Sequence, residues 1–249
     1  MGGESRNRWA QQGFANGPLY DSVRPTYPRA AVEFLVSSLR VGKDSHVLDL
    51  GAGSGIFTRQ LAPLVAKVTA VDPSESMRET LTRTSPEVEV LDGRDTDIPL
   101  RDGSVAAVFV AQAFHWFDVE LSLTEIHRVL VPRGGLGLIW NERDESVPWV
   151  GDLGRAMRWD VLQPYRVGTD FSEQIRRGPF HNVERRRFAH EQTLDHDGLY
   201  RRVLTTSYIS LMDGPERDAL MDRVAAVVST LPNPVVLPYV TDVYRADAR

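Results

Sequence analysis

Val47-Leu48-Asp49-Leu50-Gly51-Ala52-Gly53-Ser54-Gly55 decides how the rest of this chain is read. An apolar segment ends in an acid and three alternating glycines, and Phe57, Leu61, Leu64 and Val65 then recur on one helical face. Strand, tight glycine turn and helix N-terminus is how an α/β sheet presents backbone N–H groups and a bare main chain to a nucleoside-containing ligand. Glycine suits the turn because a Cβ would obstruct the ligand and because the turn calls for positive φ. Glycine-rich turns also arise for purely structural reasons, so the stretch needs a second anchor.

Asp72 supplies one. It lies 21 positions beyond Gly51, after the apolar run Val68-Thr69-Ala70-Val71. An acid about 20 residues downstream, at the tip of the next strand, can accept hydrogen bonds from both ribose hydroxyls. Asp72-Pro73-Ser74-Glu75 also suits a helix start, and one residue can do both jobs. The glycines alternate as G-x-G-x-G rather than the dinucleotide G-x-G-x-x-G, and bulky Ile56 and Phe57 open the helix. A ligand without a pyrophosphate fits better, which points to S-adenosylmethionine: methionyl part over Gly51, Ala52, Gly53 and Gly55, ribose on Asp72 and Pro73, adenine beyond.

At this point the chain resembles the class I S-adenosylmethionine-dependent methyltransferases (methyltransferase type 11), and within them the small-molecule branch that includes trans-aconitate methyltransferases. Tyr20-Asp21-Ser22-Val23-Arg24-Pro25-Thr26-Tyr27-Pro28 is similar to the family's leading "Y…RPxYP" segment. Gly93 to Leu100 with Asp102-Gly103-Ser104 resembles its third-strand loop, and Gln112-Ala113-Phe114-His115-Trp116-Phe117-Asp118 its fourth-strand signature. Glu125-Ile126-His127-Arg128-Val129-Leu130, then Pro132-Arg133-Gly134-Gly135, matches the helix and turn before strand five. The resemblance is strong over residues 9 to 145 and loose beyond. Two positions depart from the pattern. Ala106 stands where the family usually has Asp, and Asp95-Thr96 where it commonly has Ala-Glu, which bears on the adenine contact.

Composition narrows the chemistry. A chain of 249 residues, 42% hydrophobic and 25% charged, is ordinary for a globular protein and suffices for one α/β domain. No apolar run approaches the roughly 20 residues needed to span a bilayer, and the start lacks a signal segment, so cytoplasmic residence is the expectation. With no cysteine there is no thiolate adduct, iron–sulfur radical chemistry or Cys-based zinc site, leaving direct polar transfer. The six histidines show no metal-ligand spacing, and no metal is expected. A net charge of −5, and the lack of an Asn/Asp-Pro-Pro-aromatic tetrad after strand four, argue against a nucleic-acid partner. Arg185-Arg186-Arg187 and Arg176-Arg177 read as solvated faces or a strand edge. Oligomeric state is not legible.

Apolar runs at 46–50, 67–71, 88–91, 105–111 and 136–140 alternate with helical patterns at 56–65, 75–83 and 118–131. This predicts a doubly wound, seven-stranded, mostly parallel Rossmann-like sheet whose last strand, Val240 to Arg245, is antiparallel. Residues 1–44 are expected as an N-terminal helical lid, 45–142 as the cofactor core and 143–182 as a helical insertion over the cleft. Residues 183–249 complete the sheet through a strand near 183–190, helices at 196–207 and 215–230, and a connector at Leu231 to Pro238.

Each candidate residue carries a structural alternative. Asp49 holds the ligand's amino group, directly or through water, or binds its own turn. Met77 covers an adenine face or fills the core. Asp95, with Asp97 as alternative, and Thr96 reach the adenine edge, while Ala111 and Gln112 border the ligand from strand four. Tyr20 closes over the cofactor. His115 is a general base for a hydroxyl, an orienting group, or a structural histidine beside Trp116. Arg24 and Arg143 clamp a substrate carboxylate or pin the fold; Trp116 faces substrate, and Trp149 and Trp159 line a pocket or the core. The resemblance to trans-aconitate enzymes favours a carboxylate acceptor, and S-adenosylhomocysteine is then the product. The rival reading is a non-catalytic S-adenosylmethionine-binding module or partner subunit; a nicotinamide dehydrogenase is disfavoured by the glycine spacing.

Overall fold

A computed structural model describes residues 17–159 and 170–249. The apolar runs form β1 (His46–Leu50), β2 (Lys67–Val71), β3 (Glu89–Leu91), β4 (Val105–Ala111) and β5 (Leu130–Arg143). With β6 (Phe180–Leu194) and β7 (Val235–Ala248) they make one seven-stranded sheet of order β3-β2-β1-β4-β5-β7-β6. The first five are mutually parallel, and β7 runs antiparallel to both β5 and β6. The predicted sheet and its antiparallel final strand are therefore present.

The central strands are buried on both faces, which is why they read as unbroken apolar runs. Helix α1 (Gly17–Val23) precedes the sheet and leads into α2 (Arg29–Ser38). Alternation along each strand sorts the side chains of the core. Val47, Ala107 and Phe109 pack with Ala31, Val32 and Leu35 of α2, and with Phe57 and Leu61 of α3 (Ile56–Leu61). Helix α4 (Glu75–Thr84) follows β2. Leu48, Val108 and Val110 face the other way, onto Leu123, Ile126 and Val129 of α5 (Val119–Val129). A third cluster joins α6 (Pro148–Ala156) to the helices beyond α7 (Ser172–Arg177). Those are α8 (His196–Leu204), α9 (Ser207–Ser210) and α10 (Gly214–Val228), which pack with the start of β7.

Several boundaries differ from the sequence reading, each for a visible reason. The helix expected to 65 ends at Leu61 and passes into a tighter turn over Ala62–Leu64, where Pro63 cannot donate. The helix expected over 196–207 breaks at Thr205 into α8 and α9. The turn expected before strand five is a bulge inside β5: Val105 pairs with Leu130 but Ala107 with Gly135, and Arg133 takes φ +66°. The connector Leu231 to Pro238 is corrected, since Val235 to Pro238 already belong to β7 and pair with Leu194 to Glu191. Pro238 is tolerated because the β5 pairing ends at Arg143↔Tyr239, so no ladder partner waits for its missing N–H. In the expected N-terminal lid, α1 reaches the cleft through Tyr20, whereas α2 is a core layer. In the expected insertion α6 and α7 are helical, while Tyr165 lies outside the described residues. No described helix is long and apolar enough to cross a membrane.

Candidate functional site

The chain lays β1, β2 and β3 outward to one side, then returns to β4 on the other. Strand order thus reverses between β1 and β4, and a crevice opens beyond their carboxyl ends. The glycine turn lies there, with φ of +70°, +56° and +87° at Gly51, Gly53 and Gly55. The three glycines answer different demands. A Cβ on Gly51 would lie 2.6 Å from Ala113 Cβ, and one on Gly55 2.7 Å from Leu81 Cγ; at Gly53 nothing lies within 4 Å. Of the three, only Gly53 has open space beside it, and packing accounts for the other two.

Asp49, at the end of β1, is fully buried. Its Oδ2 accepts a 2.6 Å hydrogen bond from Thr58 Oγ1, while Oδ1 has no partner among the described residues. Burial raises its pKa to about 7, with the nearby Asp72 adding to the rise against the Thr58 bonds. Asp49 lies one residue behind Leu50 and Gly51, which line the crevice. Asp72 caps β2 differently. Gly53 N–H and Ser74 N–H each donate to it at 2.8 Å, and burial nevertheless pushes its pKa to about 6. The helix that follows is capped at Ser74 rather than at the expected Asp72, whose bond to Ser74 N–H lies just ahead of it, and the carboxylate lines the crevice as well.

The crevice gathers Tyr20, Pro73, Met77, Asp95, Ala111 and Gln112 of the predicted set, together with Trp116. Ala52, Gly55, Thr96 and Asp49 do not line it; Thr96 is exposed. Asp95 has taken on structural work: its Oδ2 accepts from Asp118 N–H and Ser122 Oγ at the start of α5. The loop carrying it is anchored from below. Arg128 donates to Glu125, Asp102 and the carbonyls of Ile98 and Leu100. The motifs around Asp102 and Glu125–Leu130 are therefore scaffold for that loop.

The "RPxYP" segment is a strap. Asp21 Oδ1 accepts from Ser54 Oγ and Arg59 Nη2, tying α1 to the glycine turn. Arg24 donates to Thr205 through Nε and Nη2 and lies over the Tyr20 ring. Gln112 takes φ +57°, an uncommon backbone for a non-glycine residue, which the sequence does not announce. Its N–H donates to Ile139 O and its Nε2 to Asn141 O.

Gln112 also borders a second cavity, of about 230 Å³, lined by Arg24, Arg143, Trp159 and Arg202 among others. A smaller space between the two shares Tyr20, Gln112 and Trp116 with the first and the three arginines with the second. The Arg143 side chain is only 7% exposed and lies over Trp159, so both predicted residues do meet at a pocket. Arg202 was missed; a charge on the Leu199–Val203 face of α8 was the available signal. His115 borders none of these spaces and packs on Trp116 and Trp140. Trp149 packs with the α6–α10 cluster.

Fold and crevice define a class: a doubly wound sheet whose switch point carries a glycine turn open at Gly53, the carboxylate of Asp72 in the crevice and the buried Asp49 behind it. The sequence profile of a family described as a methyltransferase domain matches residues 48–138. An uncharacterized methyltransferase of Mycobacterium tuberculosis is 38% identical over 232 residues, 91% of each chain. One from Schizosaccharomyces pombe is 33% identical over 214 residues, 86% of this chain and 85% of that one. A solved protein of Anaeromyxobacter dehalogenans, provisionally assigned as a type II methyltransferase, superposes with a TM-score of 0.62 at 25% identity, covering 91% and 97%. The chain belongs to the class I S-adenosylmethionine-dependent methyltransferases.

Proposed function

We propose that the chain binds S-adenosylmethionine in the crevice and methylates an oxygen, carboxylate or hydroxyl, of a small-molecule acceptor in the adjoining cavity. The observation that carries this is the unpaired Oδ1 of a buried Asp49 behind an open Gly53 and beside Asp72. A buried carboxylate oxygen left without a partner is costly unless a cation is to meet it. Asp49 takes the methionyl ammonium, directly or through water. Asp72 offers the ribose hydroxyls the lone pairs that Gly53 and Ser74 leave, Met77 covers an adenine face, and Asp95 borders its edge.

When bound, the cofactor supplies a methyl on a positively charged sulfur, which passes to the acceptor oxygen as the sulfur keeps the bonding pair. The chain's part is alignment and exclusion of water. Tyr20, Gln112 and Trp116, common to the crevice and the space beyond, frame the place where the two ligands meet. Such positioning can supply roughly 7–11 kcal/mol of the barrier. A carboxylate needs no base, which suits a site whose candidate base, His115, stands outside the cavity linings.

Calorimetry with S-adenosylmethionine and S-adenosylhomocysteine tests the first half, and label transfer to a panel of small acids and phenols the second. Heat without any labelled product would favour the non-catalytic reading; no heat with either compound would overturn both.

A further inference from the structure

The cavity beyond Gln112 and the smaller space that shares its arginines hold a concentration of unmet donors, Arg143 and Arg202 lining both and Thr206 the smaller one. Arg143 Nε and Nη2, Arg202 Nε and Thr206 Oγ1 are buried without a hydrogen-bond partner among the described residues. Among the described residues Arg143 Nη1 donates to Met157 Sδ at 3.5 Å, and the carboxylate of the exposed Glu145 lies 3.8 Å from Nη2. Arg202 is 7% exposed and Thr206 4%. Both arginines line the same two spaces, and burial together with Arg202 lowers the Arg143 pKa. Two like charges buried side by side repel each other, and their buried donors have lost solvent, a cost that an anion removes. Glu142 and Glu145 also border this cavity, so with Arg24 its lining carries three positive charges against two negative ones. Arg24 is spent on Thr205.

We propose that Arg143, Arg202 and Thr206 form a subsite for a second, non-reacting carboxylate of the acceptor, so that the acceptor is a small diacid. This rests on the methyltransferase reading above and adds its substrate class. The group gripped by guanidinium forks is not the one methylated, because those bonds draw on the lone pairs that an attacking oxygen must keep free. The reacting oxygen then lies toward Tyr20, Gln112 and Trp116. The volume of about 230 Å³ is below the roughly 300–1,000 Å³ of drug-sized sites and suits a short acid.

The test is titration calorimetry on the full chain saturated with S-adenosylhomocysteine. The probes are malonate, succinate, glutarate and adipate, each against the monocarboxylate of equal chain length. At least one diacid should bind tenfold or more tighter than its monoacid, and R202Q should erase that preference while keeping its affinity for S-adenosylhomocysteine. Without added acid R202Q should melt no lower than the parent, since it loses a repulsive charge; a structural arginine would lower the melting temperature. Equal binding of diacids and monoacids by the parent protein, or a preference that survives R202Q, would overturn the subsite and leave the methyltransferase reading standing. Failure of S-adenosylhomocysteine itself to bind would remove both.

Discussion

Replacing Asp49 by asparagine should make the ligand-free protein less stable in mild acid and more stable above neutrality. The folded carboxyl has a pKa of about 7 against an ordinary value of 3.8. An acid whose pKa is raised on folding keeps its proton in the native state while the unfolded chain loses it, so stability falls as pH rises between those values and levels off above about 7. Roughly three pH units at about 1.4 kcal/mol each give a cost on the order of 4 kcal/mol at pH 8. The D49N variant escapes that cost but places an amide N–H₂ where Oδ1 has no partner, at about 1–3 kcal/mol. The two stability curves should therefore cross between about pH 4.5 and 6, with D49N ahead by about 1–3 kcal/mol at pH 8. Urea unfolding followed at intervals from pH 4.5 to 8 reads the crossing directly. The same carboxyl couples to the ligand: pairing with an ammonium drives off its proton. Binding of S-adenosylhomocysteine should release from Asp49 about 0.9 proton at pH 6 and about 0.1 at pH 8. Calorimetry in two buffers of different ionisation enthalpy measures the release, and D49N should cut it to the share given up by Asp72, whose pKa is about 6, and weaken binding tenfold or more. Parallel stability curves from pH 5 to 8, or no proton release at pH 6, would refute the buried, unpaired carboxylate as the cofactor's anchor.

Gly53→Ala meets open space, so it should cost only about 1–2 kcal/mol of stability for its positive φ yet weaken S-adenosylhomocysteine binding at least tenfold. Gly55→Ala drives a Cβ into Leu81 and should lose about 2–4 kcal/mol, seen as a lower urea midpoint, from overpacking and φ together. Arg128→Lys cannot reproduce the fork to Glu125, Asp102 and two carbonyls and should cost about 1–3 kcal/mol in the same assay. His115→Asn should leave hydroxyl and carboxylate acceptors alike near parent rates, because His115 lines none of the three spaces; a loss of roughly 10²–10⁴-fold confined to hydroxyl acceptors, measured by label transfer, would restore the base role.

How far the residues alone carried the reading depends on the range of the physics behind each feature. Asp49, Gly51, Gly53 and Asp72 were legible because strand, turn and acid follow one another locally, and parallel pairing of β1 with β2 brings their ends together wherever the helices pack. The mostly parallel sheet followed from apolar runs spaced by helical periods. The extent of β6 and β7 did not, because their outer residues are polar on an edge ribbon and only cross-strand pairing marks them as strand. The division of labour among the glycines was equally hidden: that Gly55 faces Leu81 and Gly53 faces nothing is a fact about neighbours distant in sequence.

Sequence by itself determined the class of fold, the glycine loop after β1 and the acid at the end of β2, since periodicity, turn chemistry and spacing are short-range properties. Tertiary structure alone decided which charges are left without partners. Arg143 at the end of β5 and Arg202 on α8 are 59 residues apart; the sequence marks Arg143 as a clamp or a pin of the fold and gives no reason to pair it with Arg202. Only packing buries both beside one cavity, and desolvation, which no spacing rule encodes, is what leaves the donors of two ordinary guanidiniums unmet among the described residues.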